Sequence, residues 1–220
     1  MDRKTGTRVT DEQHQQDSGE PPKRKRGRPR DPGANRRILD AARAVAGELG
    51  VHGASMSAIA DRSGVGKPTI YLRWANRREV IVAAIADLRE DVPQVEGRGV
   101  QDELNQALKD DRTLLVSGPE SRFLRSALFE SAEDVEIARE LSESILGPRR
   151  QRIVEILERG MGDGELRADI DPGAVADLLI APLVRGMVLG GEGASAEDVE
   201  QHTALVAGGI AAYAETSEAG

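Results

Sequence analysis

The sequence predicts an all-α protein in two helical parts, and three observations predict it. Apolar residues recur three and four positions apart along most of the 220 residues, and no stretch alternates as a strand would. Ser55 to Arg78, SMSAIADRSGVGKPTIYLRWANRR, holds two short helical patterns about a glycine turn and the opening of a third, the pattern of a helix-turn-helix. Charge then divides the chain near residue 91. Residues 21–90 carry 15 Lys/Arg against 7 Asp/Glu, and residues 91–220 carry 12 against 26. The expected architecture is an N-terminal three-helix helix-turn-helix domain joined through a helix to a larger C-terminal helical domain.

Composition sets the outer bounds. Aromatic residues make up 2% of the chain, so the core is aliphatic and a small-molecule pocket lacks the usual aromatic lining. There is no cysteine, which excludes disulfides and thiolate metal sites. No run approaches the ~18 apolar residues of a membrane span, and the N-terminus is polar where a signal peptide is apolar; the expectation is a cytoplasmic protein with no membrane partner. A net charge of −8 would repel a polyanion if evenly spread. Concentrating the positive charge in one half confines any nucleic-acid contact to that half.

Residues 1–32 read as a disordered tail ending in a basic arm over 21–32. Between Lys23 and Arg30 stand six cations, interrupted by Gly27 and Pro29. Two readings of the arm stand side by side: a solvated tail, or an extended segment in which Pro29 holds Arg28 and Arg30 for insertion into a minor groove. Gly27-Arg28-Pro29 resembles the core of an AT-hook.

The domain expected over 33–91 begins with a helix from Asn35 to Leu49, with Ile38, Ala41, Ala42, Val45 and Leu49 on one face and Gly50 as its stop. Ser55 stands at the N-cap of a second helix, Met56 to Ser63. Ala60 lets the next helix approach, Gly64 supplies positive φ at the turn, and Val65 plugs the core beneath. The third helix opens at Gly66, tolerates Pro68 in its first turn and runs to about Trp74, with Ile70 as its buried residue. Too short to hold itself by its own hydrogen bonds, it leaves Lys67, Thr69, Tyr71, Leu72 and Arg73 for outside contact. Hydroxyl, phenol and cations near a helix N-terminus serve phosphates by charge and base edges by hydrogen bonds. With Ser55, Ser57, Pro68, Asn76 and Arg77 beside them, these are the candidate DNA contacts. Tyr71 could instead be core, and Trp74 packs or braces a phosphate contact. Asn76 to Glu79 has the form of a capping box for a fourth helix whose inner face is Val80, Ile81, Ala84, Ile85 and Leu88, with Pro93 marking its end. Arg77 and Arg78 oppose that helix's dipole, a cost understandable beside a phosphate.

These pieces, ILDAA in the first helix, SMSAIADRSGV, KPTIYLRW and NRREV, resemble the DNA-binding domain of the TetR family of bacterial transcription regulators. The chain departs from the family at Gly66, where a Ser-type cap is usual, and at Ser57 and Ala58. The resemblance implies a homodimer that binds a pseudo-palindromic DNA operator, pairs through its last two helices, and answers a small-molecule effector. It implies neither enzyme activity nor a cofactor.

The part from 98 to 216 reads as helices only. A stripe of Leu104, Ala107, Leu108 and Leu115 runs to Ser117-Gly118-Pro119. A short helix follows from Arg122 to Glu130, then one from Asp134 to Ile145 ended by Gly147-Pro148, then Arg149 to Arg159. Asp171-Pro172 opens an apolar helix to about Leu189 that must be buried on more than one side and carries Pro182 in its middle, either as a tolerated kink or as a bend that opens space for a ligand. Ser195 and Asp198 cap the last helix. Phe123, Phe129, Leu183 and Met187 are candidate pocket walls. The acidic loop of Asp163, Glu165, Asp169 and Asp171 could attract a cation, though alternating acids are common in solvated turns, and His52 and His202 stand without partners that would make a metal site. The function expected is a repressor released from its operator by an effector; the alternative is a constitutive or architectural DNA binder. Enzyme signatures are absent: no nucleophile elbow, no phosphate loop, no metal-ligand spacing.

Overall fold

A computed structural model describes residues 33–89, 99–190 and 195–212. The arm with Arg28 and Arg30, and Pro93, lie outside the described residues. Among those described, every regular element is a helix, and Leu166 and Ala211 form one isolated antiparallel bridge.

Helix α1 (Ala34–Gly53) buries Ile38, Leu39, Ala42, Val45 and Ala46. Gly50 takes φ 78°, a region strained for any side chain, so the regular helix ends there as expected. A further turn follows, and it corrects one assignment. Val51, not Leu49, returns to the core, because the reversal at Gly50 turns the chain between them; Leu49 is 62% exposed. Helix α2 (Met56–Ser63) is capped by Ser55, whose Oγ accepts from Ala58 N at 3.1 Å. Gly64 takes φ 67°, and Val65 is buried beneath the turn. Helix α3 (Lys67–Tyr71) is shorter than expected: the chain continues to Trp74 as a turn in which Arg73 N and Trp74 N both donate to Ile70 O. Helix α4 (Arg77–Ala86) buries Val80, Ile81, Ala84 and Ile85 completely. Its cap is a variant of the expected box. Asn76 Oδ1 accepts from Glu79 N at 3.0 Å, but the Glu79 carboxylate reaches one residue further back, to Ala75 N at 2.7 Å.

The larger part comprises α5 (Val100–Arg112), α6 (Ser121–Glu130), α7 (Val135–Glu140), α8 (Gly147–Gly162), α9 (Pro172–Val188) and α10 (Ala196–Ile210). Two wide π-turns continue helices, the first to the expected break at Ser117-Gly118-Pro119 and the second past an expected one. Thr113–Ser117 extends α5, and Leu141–Leu146 joins α7 to α8, so Gly147-Pro148 is not a break. The π-turn satisfies Gly147 N with Ser142 O, five residues back, and leaves Pro148 in the following turn, where its missing N–H costs least. Helix α9 runs through Pro182 to Val188 under the Asp171 cap.

Helix α1 packs against α2, α4 and α6, which seats the small three-helix unit on the larger bundle; α5 lies on α8 and α10, and α8 on α9. The expectation that α9 is covered on more than one side fails within a single chain. Leu179, Leu183 and Met187 are buried, while Leu178 and Val188 stay exposed, as does Leu205 of α10 at 75%.

Candidate nucleic-acid interface and its link to the core

Helix α3 is held by one side chain. Ile70 is fully buried, while Lys67, Pro68, Thr69, Tyr71 and Leu72 all lie on the exposed side, Leu72 at 86%. Tyr71 is 52% exposed, so the core reading of its phenol fails. A short helix anchored by one aliphatic residue and showing a cation, a hydroxyl, a phenol and an isobutyl group to solvent has the chemistry for phosphates, base edges and thymine methyls. Arg73 is half-buried, and its Nη1 makes no hydrogen bond in the chain. Trp74 is half-buried against the core.

The flanking candidates are partly committed elsewhere. The Ser55 hydroxyl caps α2, and Ser57 is half-buried. Asn76 caps α4 through Oδ1 and donates through Nδ2 to Glu79 Oε1 at 3.2 Å. Arg77 Nη1 donates to His52 O at 2.7 Å, and its Nη2 lies 3.9 Å from Glu130 Oε1. Arg78 Nε donates to Asp134 Oδ2 at 2.6 Å, with Glu136 at 3.6 Å from Nη1. The two cations at the start of α4 therefore face carboxylates of the larger bundle, which offset the dipole cost assigned above to a phosphate.

These contacts form a seam between reader and core. The Asp134 hydrogen bond raises the Arg78 pKa. Burial pushes Asp134 up, but bonds from Ile137 N, Arg78 and Glu136 N outweigh it and hold its carboxyl below the ordinary value. His52 Nε2 lies 3.3 Å from Glu130 Oε2, and Val51 N donates to Ser126 Oγ at 2.7 Å. No single residue of this seam was singled out as coupling from sequence; the signal available was the pair of arginines placed against the helix dipole.

The four pocket-wall candidates are not brought together. Phe123, Leu183 and Met187 are core; Phe123 lines a groove with α1, Met187 a small cavity of about 230 Å³ near Arg125, and Phe129 is exposed beside Leu49. A larger cleft than these lies elsewhere, about 800 Å³ between α1, the end of α4, α5 and α8. It is lined by charge. Sequence reading missed Arg43, Asp111, Arg149 and Arg152, all buried there. The signal existed: Asp111 stands on the stripe Leu104, Leu108, Leu115, where an apolar residue belongs. The acidic loop, in turn, divides its tasks. Glu165 accepts from Val100 N, Asp169 pairs with Arg167 and Asp171 caps α9. Among the described residues no group of three or more His, Cys, Asp or Glu is placed to hold a metal.

Comparison with known proteins agrees with this geometry. Residues 38–84 match the family described as bacterial regulatory proteins, tetR family, and residues 98–206 match a tetracyclin repressor-like C-terminal domain. An HTH-type transcriptional regulator of Bacillus subtilis, YdeS, is 32% identical over 171 residues, covering 76% of this chain and 85% of that protein. The fatty acid metabolism regulator protein of the same organism is 31% identical over 159 residues, covering 70% and 76%. Among solved structures, a Bacillus subtilis regulator, FadR, in complex with stearoyl-CoA has the same fold with a TM-score of 0.66 at 21% identity, over 80% of this chain and 98% of that one. A Saccharomonospora viridis regulator in complex with choline gives 0.67 at 20%, over 83% and 100%. With an outward-facing α3 in the first matched region and a helical bundle in the second, the chain belongs to the TetR family of bacterial transcriptional regulators.

Proposed function

We propose that this regulator is a cytoplasmic homodimeric repressor that binds a pseudo-palindromic operator through two copies of α3 and leaves it when a small molecule occupies the helical core. The observation that carries the reading is the outer face of α3, which shows Lys67, Thr69, Tyr71 and Leu72 to solvent while Ile70 alone anchors it. Pro68 and Arg73 belong to the same contact, with Ser55, Ser57, Asn76 and Arg77 at its margin and Arg28 and Arg30 reaching the neighbouring minor groove. One such helix reads few base pairs, and specific affinity follows from two half-sites bound at once. Exposed Leu178, Val188 and Leu205, with the glycines Gly208 and Gly209, offer a close-packing apolar face for the second copy. Phe123, Leu183 and Met187 support the core; the effector is better sought in the charged cleft.

Release requires that the effector bind more tightly to a reader spacing unsuited to DNA. The seam of Arg77, Arg78, Val51 and His52 against α6 and α7 is a physical connection able to pass such a difference. Selecting bound duplexes from a random pool gives the half-site and its spacing. Tyr71→Ala and Thr69→Ala should then weaken operator binding about tenfold or more each, the loss of ~1–3 kcal/mol per base contact, with dimer mass and helical content unchanged. Equal affinity for every duplex would refute the reading.

A further inference from the structure

Resting on the operator reading above, we infer that the outermost ridge of α3, Pro68 and Leu72, reads thymine through its C5 methyl group, and that each half-site therefore carries a thymine specified by Leu72. The argument begins with the anchor. Ile70 is fully buried, which fixes how its neighbours are turned about the helix axis. An α-helix advances about 100° per residue, so Pro68 and Leu72 fall roughly 160° and 200° round from Ile70, side by side on the face opposite the core. Helical geometry reaches that far: Leu72 closes α3 with φ −69° and ψ −13°. Exposure agrees. Pro68 is exposed, and Leu72 is the most exposed large hydrophobic residue among those described.

Neither side chain of this ridge carries a hydrogen-bonding group. The polar side chains of α3 stand to either side of it, Thr69 about 100° from the anchor in one direction, Tyr71 and Lys67 about 100° and 60° in the other. Arg73 is half-buried, with Nη1 closed off from solvent. A helix that enters the major groove by the face opposite its anchor therefore meets the base edges with hydrocarbon first. Its hydroxyl, phenol and ammonium groups lie toward the groove walls, where the phosphates run.

The base edges then decide what such a ridge can read. Guanine, adenine and cytosine present only acceptors or donors of hydrogen bonds on the polar part of their edges, and an isobutyl group laid against these removes their water and returns no hydrogen bond. Thymine alone adds a methyl group, which an isobutyl group covers with a gain. The transfer value of one buried CH2 group corresponds to about fourfold in affinity. A preference carried by a methyl group also differs in kind from one carried by hydrogen bonds: uracil lacks the group and 5-methylcytosine has it.

The test uses the full chain, a duplex selected from a random pool, and fluorescence anisotropy at one salt concentration. Each thymine of the half-site is replaced in turn by deoxyuridine, which removes the methyl group and leaves every hydrogen-bonding group in place. One or two positions are expected to lose about fourfold when changed in one half-site and about sixteenfold when changed in both. At the same position cytosine and 5-methylcytosine, each paired with guanine, should differ by a similar factor in favour of the methylated base. Leu72→Asn, close in size and polar, is expected to abolish the thymine–uracil difference there, and Leu72→Met to keep it; because Leu72 is exposed, helical content and particle mass should be unchanged in both variants. A selected half-site without thymine overturns the proposal, as does equal affinity for the thymine and uracil duplexes at every position. A difference that survives Leu72→Asn puts the methyl contact on another side chain and overturns the Leu72 assignment. In each of these cases specific binding persists and the regulator reading stands. Equal affinity for every duplex of the pool is a separate result, which refutes that reading and this proposal with it.

Discussion

Replacing Asp111 by Asn should stabilise the protein at neutral pH, although it removes one partner of a buried ion pair. The unfolded chain titrates this carboxyl near 3.8, and burial in the folded chain raises it to about 6. Between those values the folded state holds a proton that the unfolded state has released, so this group's contribution falls as pH rises through the window and is flat above it. Each pKa unit corresponds to about 1.4 kcal/mol, which gives a cost of about 3 kcal/mol for keeping the ionised carboxylate in place at pH 7.5. An amide removes that cost, while Arg149 and Arg152 keep their carbonyl acceptors Ile145 O and Ala107 O. The variant should therefore exceed wild type by up to about 3 kcal/mol above pH 6, or roughly 6–12 °C in Tm for a chain of this size, and match it near pH 4. Paired urea titrations across that range measure the difference, and the other carboxylates cancel in it. Ordinary ion-pair breakage predicts the reverse, a loss of about 3–5 kcal/mol. A loss of that size at pH 7.5 would refute the reasoning.

Three further outcomes follow from local geometry. Ser126→Ala should cost about 1–3 kcal/mol in chemical denaturation, because the buried Val51 N–H loses its acceptor across the seam. Gly160→Ala should cost about 1–3 kcal/mol by overpacking, since a Cβ there would overlap the Val100 methyl and crowd Leu166; a variant as stable as wild type would mean that α5 and α8 are loosely joined there. Leu205→Glu should halve the particle mass in light scattering while circular dichroism stays unchanged, and a mass that does not change would remove the α9–α10 face from the dimer.

Features decided within one turn of chain were legible in the sequence. The caps at Ser55, Asn76, Asp171 and Ser195, the left-handed Gly64 and the buried Ile70 each depend on neighbours three or four residues away, and they are found where the spacing put them. Misreadings arose where a local signal was overridden. Gly147-Pro148 is a breaker in isolation, but the preceding π-turn absorbs it. Leu49 fits the helical stripe, yet the reversal at Gly50 gives its place to Val51. Arg77 and Arg78 stand against the helix dipole in sequence, and the carboxylates that offset that cost, Glu130 and Asp134, come more than fifty positions later. The charged cleft was hidden for the same reason: Arg152 and Asp111 meet across 41 positions, and periodicity along one helix carries no record of what a second helix presents.

Trp74 is the only tryptophan in the chain, and it stands half-buried at the turn that closes α3. All indole emission from this protein therefore originates beside the DNA-facing helix, and none comes from the larger bundle. Operator titrations can be followed without a label, by quenching or a wavelength shift of that one fluorophore. Unfolding followed by tryptophan emission reports the reader, while far-ultraviolet dichroism reports mostly the bundle. A gap between the two curves would measure how independently the reader melts.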